Sequence, residues 1–389
     1  MTEFLPLEGW LARPDLATLV AALGAGQLRW VGGAVRDTRL GQAVKDIDAA
    51  TPLLPNAVIA ACAAAGLRTI PTGIEHGTVT VLLDGGPVEV TTLRHDVSTD
   101  GRRATVAFAQ DWREDAARRD FTINALYADP ATGEIFDYFG GLGDLSSRQV
   151  RFIGDARQRI REDHLRILRY FRFQARFGAT PADPEAESAC ADLAATLKGL
   201  SRERIGMEVM NLLGLPNPAP TVARMAELGV LPVILPEAAP EALADLIAQE
   251  QAQAIAPDAL RRLAALLPAD PALAEGVAAR FRLSSAQKKR LPTAAARNGA
   301  PTDPQALAYH LGRDAALDRL LIAGADTAAI TDWPIPQFPL KGGEIVARGI
   351  CAGPEIHRLL RAVEAAWVSE GFPDKPRVDA LLDAMLAPS

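Results

Sequence analysis

Cysteine is scarce, and its scarcity removes two kinds of chemistry. Cys62, Cys190 and Cys351 stand singly along 389 residues, without the paired spacing of a disulfide framework or a thiolate zinc site. They read as buried thiols of a reducing compartment. Histidine is sparse too: the chain has five, and the region after Asp155 holds no His-Asp doublet of the metal-phosphohydrolase type. Each histidine is read as a structural or surface residue. No apolar stretch runs uninterrupted for the length a membrane span needs, and no start-region run combines positive charge, an apolar core and a small-residue cleavage site. The expectation is a soluble, cytoplasmic protein with no membrane partner and no evident protein partner. Net positive charge is missing as well: the balance of -7 argues at first against nucleic acid. The average hides one segment. Between Arg148 and Arg176 there are nine arginines (148, 151, 157, 159, 161, 166, 169, 172, 176) against three acids, Asp155, Glu162 and Asp163.

What the chain has in quantity is apolar side chain, 49%, enough over this length to fill more than one core, so several packed modules are expected. Residues 12–25 read as a short amphipathic helix closed by Gly24, and 55–65 as an alanine-rich helix ended by Gly66. Leu28–Val31, Leu67–Ile70, Gly77–Leu83 and Val88–Leu93 are strand-like, with Asp84-Gly85-Gly86 turning between the last two. Together they predict a small mixed sheet with helices on one side. Arg94 to Ala104 is polar, contains Gly101 and has no period, which predicts a mobile loop, in its plainest reading a solvated hairpin tip. From about Asp155 strand signals stop. The remainder reads as all-helical, broken at Gly178 to Pro181, Gly214 to Pro216 and Leu235-Pro236.

The chemistry concentrates in Val31-Gly32-Gly33-Ala34-Val35-Arg36-Asp37 and, shortly after, Lys45-Asp46-Ile47-Asp48. A short apolar strand breaks at a glycine pair and continues into a helix, so backbone amides stand free at a helix start, a cradle for phosphate. Asp46 and Asp48 flank Ile47 in what reads as the next strand, and a period of two sends both carboxylates to one face. Two such carboxylates can hold hard divalent cations. Alone, a glycine pair is only a turn and an Asp-x-Asp only a solvated strand end. Arg36 between them and Val88-Glu89-Val90 further on make the combination specific.

This constellation resembles the active site of the polymerase β nucleotidyltransferase superfamily. Within it, GGAVRD followed by LG and DID is similar to the class II tRNA nucleotidyltransferases (CCA-adding enzymes) and bacterial poly(A) polymerases. Arg118-Arg119-Asp120-Phe121-Thr122-Ile123-Asn124-Ala125-Leu126 matches the family's second motif, and Asp137 to Leu145 also matches. The resemblance is strong over 28–178 and looser beyond, at Phe281–Ser284 and Phe338–Glu344. It implies an α+β fold: a small mixed-sheet polymerase β-like head over 1–145, then an elongated all-helical remainder, with a nucleotide-recognition neck over 146–215 and a tRNA-binding body and tail over 216–389. It implies that Asp46 and Asp48 are catalytic and hold two Mg2+ ions, with Glu89 as a third carboxylate. Gly32 and Gly33 would admit phosphates that Arg36 neutralises. Arg119 would contact the nucleotide, while Asp120 and Asn124 shape the backbone. The loop 94–104 would help switch the site between adding C and adding A.

A second stretch, Glu162-Asp163-His164-Leu165-Arg166-Ile167-Leu168-Arg169-Tyr170-Phe171-Arg172-Phe173, reads as one helix. There Asp163 and Arg166 would be adjacent, Arg169 further round, and Arg172 nearly opposite Asp163. The plain account is an i, i+3 ion pair. A carboxylate beside a guanidinium, however, offers the acceptor and donor that cytosine and adenine share and that uracil and guanine cannot match. The stretch also resembles the family motif that reads the base, which maps the role onto Asp163 and Arg166, with Arg169 and Arg172 in support. The function implied is template-independent addition or repair of the 3′-terminal CCA of tRNA from CTP and ATP, with release of pyrophosphate. The alternatives are a poly(A) polymerase, a CC-only or A-only enzyme, and a catalytically idle RNA-binding relative. Thr72-Gly73-Ile74-Glu75-His76-Gly77 stands where the poly(A) polymerases tend to carry a basic stretch, which favours tRNA.

Overall fold

The computed structural model describes residues 2–99, 104–297, 303–351 and 353–387. The chain divides into two compact units, Met1–Leu212 with Pro220–Pro236, and Leu213–Ala219 with Glu237–Ser389.

The first unit is built on a sheet whose strands run β1 (Arg29–Val31), β2 (Ile47–Thr51), β3 (Arg68–Gly73), β4 (Thr78–Leu83) and β5 (Gly86–Thr92) along the chain. A separate antiparallel pair follows, β6 (Arg94–Thr99) and β7 (Ala104–Phe108). Then β8 (Leu126–Ala128) and β9 (Ile135–Asp137) return to complete a sheet of seven in the order β3-β4-β5-β2-β1-β8-β9. Only β2 and β5 pair in parallel. The expected mixed sheet is present, with its five foreseen strands, β1 to β5. Two features differ. Residues 94–99 and 104 lie on strands of a hairpin rather than in a loop, and the tip at 100–103 falls outside the described residues. β8 and β9 gave no strand signal, because three-residue strands are too short for alternation and β8 is buried at every position.

Alternation explains the layers. Ile47 and Ala49, Val79 and Val81, and Val88 and Val90 are buried on one face of the sheet, and the period of two turns Asp48 and Glu89 to the other. α1 (Pro14–Leu23) ends where Gly24 takes φ 98, α2 (Gly33–Arg39) packs on β1, β2 and β8, and α3 (Pro55–Ala64), opened by a proline, packs on β3 and β4. The helices α4 (Trp112–Ala117), α5 (Gly141–Ser147), α6 (Ala156–Glu162) and α7 (Arg166–Phe177) follow. They are joined to the sheet end by aromatic packing. The Phe121 ring, fully buried, lies 4.9 Å from Phe152, 5.0 Å from Phe173 and 6.3 Å from Tyr170. α8 (Pro184–Asp192), α9 (Arg202–Leu213), α10 (Ala219–Glu227) and α11 (Leu231–Ile234) close this unit.

The second unit is helical, with no strand among its described residues. Aspartates cap several of its helices: Asp258 before the helix Ala259–Leu266, Asp270 before Pro271–Arg280 and Asp303 before Pro304–Leu311 each accept first-turn amides. A buried ionic cluster joins Arg261 to Glu250 and Asp318, and Arg262 to Glu250 at 2.7–3.0 Å. Arg262 also donates to the carbonyls of Leu213, Leu215 and Pro216, so one guanidinium fixes that returning segment. Among the described residues no helix is long and apolar enough to cross a membrane.

The Phe121 cluster yields a test. Phe121→Ala removes a fully buried ring and is expected to lower unfolding free energy by about 3–5 kcal/mol, with Phe121→Leu losing less, as measured by urea denaturation.

Candidate active site

Strand β1 stops at Val31 because the next residue cannot stay extended. Gly32 takes φ 71 and ψ -121, a conformation L side chains rarely adopt, while its amide donates to the Leu126 carbonyl on β8 at 3.1 Å and its carbonyl accepts from Arg36 at 3.0 Å. A Cβ there would stand 3.6 Å from the Asn124 carbonyl oxygen and 3.8 Å from Arg119 Nη1. The turn thus brings the glycine pair, the second motif and α2 to one place.

Register brings the carboxylates there too. Asp48 pairs across with Val31 and, on the other side, lies in parallel register with Glu89. Neighbours in register share a face, so the two carboxylates stand side by side. Asp46 sits one residue before β2 begins, next to this pair but not on the strand. Among the described residues none of the three forms an ion pair. Burial, then the charge of Glu89 and that of Asp46, push the Asp48 carboxyl above the usual aspartate range, against the opposing pull of Arg119. No group of three or more His, Cys, Asp or Glu among the described residues is arranged to hold a metal ion alone. A half-buried carboxylate raised by like charges, with open oxygens, nevertheless fits a hard divalent cation whose remaining ligands come from substrate.

The arginines are placed differently from one another. Arg36 is 5% exposed, paired with Asp37 at 2.7 Å and bonded to the Asn124 side chain, with its guanidinium 4.2 Å from the Phe177 ring. Its charge is thus committed within the protein beside the glycine pair. Asn124 donates in turn to Asp120 at 3.0 Å, and Asp120 holds Arg169 at 2.5 Å and the Phe121 amide at 2.8 Å. Burial would raise the Asp120 carboxyl, but Arg169 and these hydrogen bonds outweigh it and hold it down at about 2. Arg119 donates to Tyr127 Oη at 3.1 Å and to Asp115 at 3.2 Å, with its guanidinium facing the glycine turn and Asp48.

The stretch expected to form one helix does not. α6 ends at Glu162, Asp163 is extended at φ -148 and ψ 106, and α7 begins at Arg166. The cause is local: the Asp163 side chain accepts the Leu165 amide at 3.1 Å, an alternative to helix that aspartate offers its own backbone. Asp163 and Arg166 are therefore close in chain but not an ion pair. Asp163 accepts from Arg204 of α9 at 2.7 Å. Arg166 reaches Glu162 at 2.7 Å and the carbonyls of Arg159 at 2.9 Å and Arg118 at 3.1 Å. Arg172 pairs with Glu208 at 2.7 Å. The basic segment is largely matched in space by acids from elsewhere: Arg151 by Asp144, Arg157 by Asp192, Arg176 by Asp37. Sequence reasoning missed Asp115, Arg204 and Glu208. Arg204 and Glu208 are spaced i, i+4 and would be read as pairing with each other, whereas each serves α7 or the turn before it.

Comparison with known proteins gives a consistent picture. The family described as the poly A polymerase head domain matches residues 28–151, and that described as the probable RNA and SrmB-binding site of polymerase A matches 182–241. The mitochondrial CCA tRNA nucleotidyltransferase 1 of Mus musculus is 35% identical over 366 residues, covering 89% of this chain and 84% of that protein. The CCA-adding enzyme of Levilactobacillus brevis is 42% identical over 213 residues, 54% of this chain and 52% of that one. The crystal structure of the Bacillus stearothermophilus CCA-adding enzyme in complex with CTP superposes with a TM-score of 0.73 at 28% identity, covering 95% of this chain and 97% of that one.

The Asp120 site sets an acid limit. Its pKa falls on folding, so its stabilisation is complete above the unfolded value near 3.8 and is lost as pH falls through the folded value of about 2. Asp120→Asn is expected to cost roughly 2 kcal/mol at pH 7, with the gap from the wild type closing between about pH 4 and pH 2 in denaturation series.

Proposed function

The chain belongs to the family of CCA tRNA nucleotidyltransferases and poly(A) polymerases, and on that premise we propose how its residues add the 3′-terminal CCA of tRNA from CTP and ATP with release of pyrophosphate. The observation that carries the assignment of the site is Asp48, half-buried beside Glu89 and the Gly32 turn with its oxygens unpaired. Asp46 and Asp48 hold divalent cations, Mg2+ in this reading. Bound there, such ions make the RNA 3′-hydroxyl more acidic and neutralise the triphosphate and its leaving pyrophosphate. Glu89 adds negative charge beside Asp48. Gly32 and Gly33 let the backbone approach the phosphates, Arg36 braces that turn, and Arg119 faces the nucleotide. No covalent intermediate is required, because positioning and electrostatics suffice for phosphoryl transfer.

Base choice falls to Asp163 and Arg166, with Arg169 and Arg172 fixing α7. An incoming cytosine or adenine brings an amine donor to Asp163, where it competes with Arg204, and a ring acceptor to Arg166, where it competes with carbonyls and Glu162. Uracil and guanine bring the reverse pattern and leave these groups unmatched. In this reading residues 1–145 are the catalytic head, 146–215 the recognition neck and 216–389 the body and tail that bind tRNA. Cys62 and Cys190 are buried as expected whereas Cys351 is exposed; three unpaired thiols suit a reducing compartment, and we assign the cytoplasm; the mouse and human relatives are named as mitochondrial.

The direct test supplies the purified protein with tRNA lacking CCA, tRNA ending in CC and an unrelated RNA, each with labelled CTP or ATP. Completion of CCA on the first two alone is the expected result, and a lengthening A tract on the unrelated RNA would identify a poly(A) polymerase instead. Asp46→Ala and Asp48→Ala are each expected to abolish addition with the fold intact, since removing mutually repelling carboxylates does not destabilise. Wild-type turnover in either at saturating Mg2+ would overturn the metal assignment.

The base-reading assignment is tested by kcat/KM for all four nucleotides. Asp163→Ala and Arg166→Ala are expected to raise UTP and GTP use relative to CTP and ATP by about one to two orders of magnitude, the worth of one charge-assisted hydrogen bond. Arg172→Ala, which leaves Glu208 unpaired, is expected to weaken all four alike. A uniform loss in the first two would make them structural.

A further inference from the structure

Asp115 on α4 is 1% exposed and collects four donors. One oxygen accepts the backbone amide of Arg94 at 3.3 Å and the Arg118 guanidinium at 2.7 Å. The other accepts the Tyr127 hydroxyl at 2.6 Å and Arg119 Nη2 at 3.2 Å. These donors come from different places. Arg94 is the first residue of β6, where the hairpin leaves the sheet, and Arg119 is the cation that faces Asp48 and the glycine turn.

The hairpin root is also held by the Leu93 amide to Thr51 at 2.7 Å, the Ala109 amide to Leu93 at 2.8 Å, and the Arg94 side chain to the His76 carbonyl. Phe108, at the end of β7, packs so closely over Gly77 that a Cβ there would stand 3.0 Å from its ring. Arg119 in turn is fixed on one side by Tyr127, whose hydroxyl is itself bound to Asp115. Both attachments of Arg119 therefore lead to the same carboxylate oxygen. Arg118 carries the connection further, since its backbone carbonyl receives Arg166.

We infer that Asp115 is a positioning residue for nucleotide addition: its carboxylate clamps the root of the β6–β7 hairpin and the Arg119 guanidinium to one another. The inference rests on the nucleotidyltransferase reading above. A displacement of the hairpin at Arg94 loads one carboxylate oxygen, and the rigid carboxylate transfers it to the other, which sets where Arg119 stands relative to the glycine turn. Substrate that engages Arg119 pulls in the opposite direction and orders the hairpin root.

The test is a cycle of Asp115→Asn and Arg119→Ala, singly and together, with KM and kcat for CTP on tRNA lacking CCA. Asp115→Asn is expected to raise KM about ten-fold, with a smaller fall in kcat. In the Arg119→Ala background the same change is expected to add less than about two-fold, because the clamp then has nothing to position. Hydrogen exchange at the Arg94 amide is expected to accelerate, and the Arg119 Nε resonance to shift. Tyr127→Phe, which keeps the carboxylate, is expected to raise KM about three-fold and to lose that effect without Arg119. It decides the matter if Asp115→Asn does not fold. Unchanged KM, or full multiplication of the two effects, overturns the clamp. If wild-type protein adds no CTP at all, the functional reading fails instead, and the clamp stands or falls on the Arg94 exchange and the Arg119 resonance.

Discussion

Like charges on neighbouring strands repel, and the parallel register of β2 with β5 gives Asp48 no way to avoid Glu89. Sliding one strand by one residue would separate them, but it would also turn that strand's buried side chains, Ile47 and Ala49 on β2 or Val88 and Val90 on β5, out of the covered face, at about 1 kcal/mol or more for each large side chain exposed. The hydrophobic pattern therefore enforces the electrostatic one. The surroundings do little to relieve it. Arg36 is committed to Asp37, Arg169 to Asp120 and Arg172 to Glu208, so the positive charge of the neighbouring segments is already matched. What is left is a local excess of negative charge next to a turn that offers amides, with Arg119 at its edge. That combination suits a cation together with the anion it carries.

The residues proposed to read the base follow a related logic. Because Asp163 and Arg166 have protein partners, an arriving base exchanges one set of hydrogen bonds for another, and the net gain for a correct base is small. Discrimination then comes from what a wrong base cannot replace. This is selection by penalty, and it suits a site that accepts two bases of different size while refusing two others.

Much of this was legible in the sequence because it depends on local rules. The glycine turn, the strand carrying Asp48, the alternation around Glu89 and the change to helices after Asp155 were all visible as short-range patterns, and Gly24 closes its helix as expected. What the sequence hid is long-range pairing. A run of nine arginines suggested a basic surface, yet most of their acids lie tens of residues away, in Asp37, Asp120, Asp192 and Glu208. The break at Asp163 was missed for a different reason. Its side chain competes with the helix for the Leu165 amide, and helical periodicity counts apolar positions without seeing that competition. β8 escaped because it is buried on both faces, which erases the alternation that marks a strand.

The first unit is discontinuous: it runs to Leu212, departs, and resumes over Pro220–Pro236. The nine strands among the described residues all lie before residue 138, so on a ribosome the sheet can assemble early, while Val222, Met225, Leu231 and Ile234, all buried in the finished unit, are still to come. Until residue 236 has emerged, the apolar surface they cover stands open in a nascent chain that already carries Asp46, Asp48 and Glu89. The order of synthesis thus makes the last two helices of this unit a timing element. Translation that slows between 212 and 236 lengthens the exposure of a sticky, half-built enzyme, and chaperone demand concentrates in that interval.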